Sequence, residues 1–186
     1  MENVFKLSSD EKKRTFTWKG LGDIKFGRGS LGEEMPVAVY RLMQFTLLDT
    51  LSSEVGLTKA NEYFRKAGYL AGIEFGKNVL DIDIDNELDF DSFISNLQEA
   101  LKLLKIGILR MEFFNPEDGN IILTVAEDLD CSGLPITNES VCVYDEGFMS
   151  GILEAYTGKK YDVRETDCWA TGDRVCRFNG MPVSAY

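Results

Sequence analysis

Apolar residues recur at helical spacing in four segments of the chain, and polar or glycine-containing stretches separate these segments. The first covers residues 36–54 and opens on Pro36, which suits a first helical turn. Its apolar residues occupy more than one face, which predicts a central helix. The others cover residues 59–80, 90–105 and 145–156. The pattern therefore predicts four main helices.

Shorter runs between the helices have the composition of strands. Residues 107–114 and 120–127 flank a turn that contains Asn, Pro and Gly, which predicts an antiparallel hairpin. Residues 161–169 and 174–178, joined by Ala-Thr-Gly-Asp, predict a second hairpin. Because the hairpins occur without alternating βαβ units, we expect an α+β fold in which an antiparallel sheet packs against several helices.

Two further short strands are predicted near the start of the chain, at residues 15–19 and 23–26. Residues 27–32 then spell G-R-G-S-L-G, which matches the G-x-G-x-x-G pattern of dinucleotide-binding domains. That motif requires a βαβ unit, whereas two predicted helices follow here. We therefore interpret residues 27–32 as a flexible turn that leads into the first helix.

Three glycines lie four residues apart on the second predicted helix, at Gly68, Gly72 and Gly76. Each costs about 1 kcal/mol relative to alanine in a helix, so a compensating close contact is expected on that side. A packed helix is the favoured occupant, and a ligand is the alternative.

An acidic loop at residues 81–89 resembles the start of an EF-hand. Asn86 stands where the turn glycine belongs, and Ser92 stands where a bidentate glutamate belongs. We therefore expect a solvated loop without calcium, with Asp89 or Asp91 capping the next helix.

The composition narrows the classes of function. The chain has 186 residues, 44% of them hydrophobic, and is expected to form one domain over residues 1–186. Its net charge of −11 opposes non-specific attraction to nucleic acids or anionic membranes. The absence of a long apolar run and of a secretion signal predicts a cytoplasmic protein with free thiols or a metal site.

The sequence contains no histidine. This excludes Ser-His-Asp and Cys-His nucleophilic sites, His-ligated catalytic zinc and the usual general base of neutral pH. We predict no catalytic residues, and a binding role is favoured over an enzymatic one.

Three of the four cysteines lie within residues 142–178. Cys142 precedes the last predicted helix, where the partial positive charge of the N-terminus favours the thiolate. Cys168 and Cys176 face each other across the second hairpin, at a separation that allows two sulfurs to share one ion. Glu165 could join them only if its strand bulges or bends near residues 166–167, and we predict such an irregularity.

Three thiolates and a carboxylate would form a closed tetrahedral site of the structural zinc type. Alternatively, the three cysteines are unconnected, or two of them form a disulfide and one is spare. The fourth cysteine, Cys131, is interpreted as a spare thiol that packs as a small apolar residue.

The pattern C-x-Y-x-x-G-x-x-x-G, then E-x-x-C, then G-D-x-x-C-x-F resembles the 4-vinyl-reductase-type (V4R) hydrocarbon-binding domain. The resemblance places a structural zinc on Cys142, Glu165, Cys168 and Cys176, which would anchor the C-terminal hairpin. It also implies the general fold of TRAPP vesicle-tethering subunits and haem nitric-oxide sensor domains, with an apolar ligand cavity and a homodimer. Aromatic-sensing members use a histidine to contact phenol, so phenol recognition is not carried over.

The sequence therefore predicts a domain that binds or senses a small hydrophobic, aromatic or hydrocarbon molecule, with ligand-binding residues that it does not identify. A separate output protein would be needed for signalling. Two alternatives remain: a reductase or reductase subunit acting on a tetrapyrrole vinyl group, and a non-catalytic adaptor. A closed cavity would favour the binding domain, whereas an exposed apolar face would favour the adaptor.

Overall fold

The computed structural model describes residues 16–82 and 88–183. Within them, no helix combines the length and apolarity that crossing a membrane requires. The main elements are, in order, α1 (Ile24–Gly27), α2 (Val37–Val55), α3 (Leu57–Asn78), α4 (Phe90–Leu103), β1 (Ile108–Phe114), β2 (Ile121–Ala126), α5 (Val143–Thr157), β3 (Tyr161–Asp167) and β4 (Cys176–Pro182).

The four strands form one sheet in the order β1-β2-β4-β3, and every neighbouring pair is antiparallel. Helix α4 packs against β1, and α5 packs against β3 and α3. The predicted α+β class, with helices packed on an antiparallel sheet, is confirmed. Both predicted hairpins are present, although β4 extends to Pro182, beyond the predicted end.

The two short strands predicted near the start of the chain are wrong. Trp18–Leu21 is a turn of 3-10 helix, and Ile24–Gly27 is a single α-helical turn. The side chain of Asp23 accepts a hydrogen bond from the Phe26 backbone N–H at 2.9 Å, which favours a helical turn over an extended strand.

The first turn of α4 is capped as the sequence predicts. Asp89 accepts a hydrogen bond from the backbone N–H of Ser92 at 3.0 Å. The acidic residues 83–87 that precede it lie outside the described part of the chain. Helix α4 then directs one apolar stripe into the core, formed by Phe93, Ile94, Leu97 and Leu101.

Helix α2 is not the central helix that its apolar composition predicts. The single buried residue of α2 is Gln44, whereas Leu42 and Met43 are 68% and 61% exposed. Periodicity reports which residues are apolar, but it does not report whether another surface covers them. The helix therefore presents an apolar face to solvent in the single chain.

Helices α3 and α5 occupy the centre instead, and glycines allow them to touch backbone to backbone. A Cβ atom added at Gly72 would lie 2.1 Å from the Phe148 carbonyl oxygen. A Cβ atom at Gly147 would lie 1.9 Å from the Arg65 carbonyl oxygen. The packing interpretation of the α3 glycines is therefore correct, and α5 contributes glycines to the same contact.

We expect Gly72→Ala to destabilise the fold by about 3 kcal/mol or more, because the added methyl group meets backbone and forces the two helices apart. Gly27→Ala is the matched control, since Gly27 is also helical but has open space around it. Denaturant unfolding of both variants measures the difference. Equal stability of the two variants would contradict the close contact.

Candidate metal centre at the cysteine cluster

Three elements deliver the predicted cysteines to one place. Cys142 is the N-cap of α5, as its position before the last helix predicts. Cys168 follows the end of β3, and Cys176 begins β4. The pairing of Asp167 with Arg177 sets Cys168 beside Cys176 across the hairpin.

The irregularity predicted near residues 166–167 is present. The register of β3 against β4 shifts between Glu165 and Asp167. A bulge of this kind inserts an extra residue and redirects the side chains that flank it. The Glu165 carboxylate then reaches the start of α5, where Oε2 accepts from the Cys142 backbone N–H at 3.2 Å and from the Ser140 hydroxyl.

Four cysteine sulfurs, rather than three, meet in the core. The Sγ atom of Cys142 lies 3.8 Å from that of Cys168 and 3.8 Å from that of Cys176. The Sγ atoms of Cys131 and Cys176 are 3.1 Å apart. All four residues are buried free thiols, and their sulfurs lie within 4.8 Å of one another. The structure thus brings Cys131, interpreted from sequence as a spare thiol, into the cluster.

Cys131 is carried by the loop after β2, and backbone hydrogen bonds fix the shape of that loop. Oδ1 of Asp128 accepts from the backbone N–H of Asp130 at 2.8 Å and from that of Cys131 at 3.2 Å. A buried carboxylate thus holds the turn that directs Cys131 inward.

Helix α2 holds the same loop from outside through three side chains, which we call the α2 clamp: Tyr40, Arg41 and Gln44. Arg41 donates to two backbone carbonyl oxygens of the loop, at 2.8 and 2.9 Å. Tyr40 and Gln44 donate to the two carboxylate oxygens of Asp130, at 2.8 and 2.7 Å. Sequence reasoning did not identify the α2 clamp, because its residues lie more than 80 positions from the loop.

Buried carboxyl groups surround one side of the cysteine cluster. Burial, followed by the charge of Asp130, raises the pKa of Asp128 to about 7. Burial also raises the pKa of Asp130 and of Asp145. Oδ2 of Asp145 has no hydrogen-bond partner within the described residues. The surroundings therefore disfavour further negative charge unless a cation or protons are present.

The thiols themselves are electrostatically coupled. Hydrogen bonds from neighbouring thiols, that of Cys131 first, lower the pKa of Cys168. The same kind of contact, again with Cys131 first, raises the pKa of Cys142 and of Cys176. A thiolate in this cluster would accept hydrogen bonds from the S–H groups around it, and ionisation of a second thiol is unfavourable without a nearby positive charge. Four clustered sulfurs with this property could hold a metal ion.

The predicted ligand Glu165 is placed differently from the cysteines. Its carboxylate is not among the donor atoms of the described residues that lie within 4.8 Å of one another around the cluster. Burial raises the pKa of Glu165 to about 7. Its Oε1 is buried without a hydrogen-bond partner in the described part of the chain. Glu165 therefore borders the cluster, with one oxygen committed to α5.

Glu146, one turn after Cys142, joins α5 to both neighbouring elements. Its buried carboxylate accepts from Arg65 of α3 at 2.8 Å and from the Glu165 backbone N–H at 3.0 Å. Arg164 lies further away, at 3.7 Å. This ion pair fixes the start of α5 relative to the strand that leads to Cys168.

Aromatic rings fill the interior between α4, α5 and β1. Phe93 and Tyr156 stack with ring centroids 4.0 Å apart, and Phe90 and Phe114 stack at 3.8 Å.

A cleft of about 840 Å³ opens elsewhere, between the segment before α2 and the end of α4. Its walls combine apolar side chains with charged ones of both signs, and include Met35, Val37, Leu104, Lys25, Arg28, Lys105, Glu33 and Glu34. Lys105 pairs with Glu34 at 2.8 Å.

We expect Arg65→Gln to cost about 2–3 kcal/mol, because it leaves the buried Glu146 carboxylate with the more distant Arg164 as its only cationic partner among the described residues. Lys59→Gln is the matched control, since Lys59 pairs with Glu62 in solvent and such pairs contribute little. Chemical denaturation compares the two variants. A loss for Lys59→Gln as large as that for Arg65→Gln would refute a structural role for the Glu146 pair.

Comparison with known proteins places this geometry in context. The family model described as the V4R domain matches residues 121–182, which include all four cysteines. An uncharacterised protein of Methanocaldococcus jannaschii is 30% identical over 148 residues, covering 80% of this chain and 78% of that protein.

Two solved structures share the fold at low sequence identity. The phenol-responsive sensory domain of the transcription activator PoxR, solved with phenol, is 16% identical, with a TM-score of 0.62; the match covers 81% of this chain and 76% of that one. A trafficking protein particle complex subunit 3 from Naegleria fowleri, covalently bound to palmitic acid, is 11% identical with the same TM-score; the match covers 80% of this chain and 95% of that one. The fold expected from the tethering subunits is confirmed.

Proposed function

This chain belongs to the V4R domain family, and on that premise we propose that it is a small-molecule-binding or sensing domain with a structural zinc ion at its cysteine cluster. The observation that carries the proposal is the meeting of four buried, free thiols from separate segments of the chain. Zinc is favoured because it takes four thiolate or mixed ligands in a closed tetrahedral site. Such a site leaves no position for a reacting water, so its role is structural.

Three of the proposed ligands are those that the sequence predicts, Cys142, Cys168 and Cys176. Two residues compete for the fourth position: Glu165, which the family resemblance indicates, and Cys131, which the structure brings into the cluster. Either set yields a four-ligand centre that fastens the C-terminal hairpin to the start of α5.

The ligand-binding part of the proposal draws on the relatives. The PoxR domain is phenol-responsive and the trafficking subunit carries palmitic acid, so the shared fold accommodates apolar molecules of different shape. In this chain, the cleft beside α2 has a volume within the usual range for small-ligand sites, about 300–1,000 Å³. Its mixture of apolar walls and charged side chains of both signs suits an apolar molecule with a polar group.

Native mass spectrometry on protein purified without added metal tests both parts of the proposal. We expect one zinc ion per chain, together with an organic mass that is released on denaturation. Removing the zinc with a chelator should lower the thermal midpoint, because structural zinc contributes folding free energy on the order of 10 kcal/mol. An unchanged midpoint after complete zinc removal would refute the structural role, and cysteines oxidised in pairs without metal would refute the site.

Assembly with a partner is the second candidate function, and the exposed face of α2 favours it. Leu42, Met43 and Leu47 are all at least half exposed in the single chain, and they lie on one helix. Contiguous apolar surface of this kind marks interaction sites in soluble proteins. The occupant we propose is a second copy of the chain, as the expected homodimer requires, and an adaptor would use the same face for a different protein.

We expect the wild-type chain to be a dimer and Leu42→Glu to be monomeric, because a charge at the centre of the interface is costly to bury. Met181→Glu serves as the control, since Met181 is also more than half exposed but lies on β4. Sedimentation velocity measures the three proteins. A monomeric wild-type chain, or dissociation by both variants, would exclude α2 as the dimer interface.

A further inference from the structure

We infer that Cys131, and not Glu165, supplies the fourth ligand of the proposed zinc centre. The inference rests on the proposed function, because it concerns the composition of the same site. It follows from three features of the structure: the separations of the sulfurs, the hydrogen bonds of the Glu165 carboxylate, and the way in which the loop of Cys131 is held.

The sulfur separations fit a four-thiolate centre. Zinc–sulfur bonds of about 2.3 Å in tetrahedral geometry place the sulfurs about 3.8 Å apart. Two of the observed separations, from Cys142 to Cys168 and to Cys176, are 3.8 Å. The Cys131–Cys176 separation of 3.1 Å is shorter than a tetrahedral edge and longer than a disulfide bond of about 2.05 Å.

One oxygen of the Glu165 carboxylate is hydrogen-bonded to the backbone at the start of α5. In a centre of three sulfurs and one oxygen, the oxygen would lie about 3.5 Å from each sulfur. Among the described residues, the donor atoms that lie within 4.8 Å of one another around the cluster include Cys131 and do not include Glu165. Oε2 of Glu165 instead accepts from the N–H of Cys142 at the start of α5, where the helix favours a carboxylate.

Two observations favour Glu165 as a ligand: its Oε1 is buried without a hydrogen-bond partner among the described residues, and its carboxyl group contacts the side chain of Cys168. Oε1 borders the cluster, and it would be satisfied by ligation of a metal ion. The competing contact is that of Oε2, which holds the backbone of Cys142. We therefore assign Glu165 as a positioning residue that orients Cys142, and the experiment below separates the two roles.

Hydrogen bonds from two sides hold the loop of Cys131 in place, as is usual for a segment that carries a metal ligand. Asp128 fixes its turn through two backbone N–H groups, and the α2 clamp holds it from outside. Metal sites depend on such outer contacts, because they orient the ligating side chain. With Cys131 as a ligand, the zinc ion joins this loop, the start of α5 and the hairpin, instead of joining only the last two.

X-ray absorption at the zinc edge of the purified wild-type protein tests the inference directly. We expect four sulfur neighbours at about 2.3 Å and no oxygen or nitrogen neighbour at about 2.0–2.2 Å. Three sulfurs and one oxygen would overturn the inference and leave the proposed zinc centre intact. Failure of the protein to bind zinc would overturn the proposed centre and the inference together.

A pair of variants gives a second readout. Glu165→Gln should keep one zinc per chain and a four-sulfur shell, with affinity reduced by about 10–100-fold at most, as expected for an outer contact. Cys131→Ser should bind zinc with three sulfurs and one oxygen or nitrogen neighbour. A four-ligand shell with unchanged sulfur content in Cys131→Ser would overturn the inference, as would loss of an oxygen neighbour in Glu165→Gln. If Cys131→Ser does not fold, the wild-type and Glu165→Gln spectra carry the test.

Discussion

The backbone contact between α3 and α5 is the constraint on which the rest of the structure depends. Glycines on both helices let each backbone touch carbonyl oxygens of the other, and no larger residue fits there without displacing a helix. This contact sets the position of α5, whose N-terminus presents Cys142 and whose next turn presents Glu146. The pair between Glu146 and Arg65 then fixes the strand that carries Glu165. The site is therefore a consequence of helix packing as much as of cysteine spacing.

The cysteine cluster brings four thiols together beside buried carboxyl groups, an arrangement in which negative charge is unfavourable unless a cation is bound. Among four thiols in contact, one thiolate would accept hydrogen bonds from its neighbours, whereas a second negative charge beside it is unfavourable. The nearby buried carboxyl groups of Asp128 and Asp145 oppose further ionisation. A divalent ion at this position would reverse the balance, because each thiolate would then be stabilised by the ion and not by its neighbours' protons. Asp128 also accepts the backbone hydrogen bonds that shape the loop of Cys131.

Helical periodicity, strand alternation and turn composition predict most of the fold and part of the cysteine cluster from the sequence alone. The bulge at Glu165 follows from strand geometry, and the N-cap position of Cys142 follows from helical periodicity. Cys131 was missed because its place in the cluster depends on contacts with α2, almost 90 residues away. A signal was nevertheless present: a fourth cysteine in a chain already predicted to bind zinc completes the four-cysteine set common in structural sites.

Helix α2 is largely exposed, although its apolar composition predicts a buried helix. An apolar helix is expected to be buried, yet the residues that attach α2 to this fold are polar: Tyr40, Arg41 and Gln44 bind the loop that carries Cys131. Its apolar side chains, among them Leu42 and Met43, point away from the chain. A contiguous exposed apolar patch marks a surface that another molecule can cover, and that molecule need not be part of the same chain. The exposed apolar positions of α2 are therefore available to a second surface, whereas the polar positions between them hold the loop of Cys131.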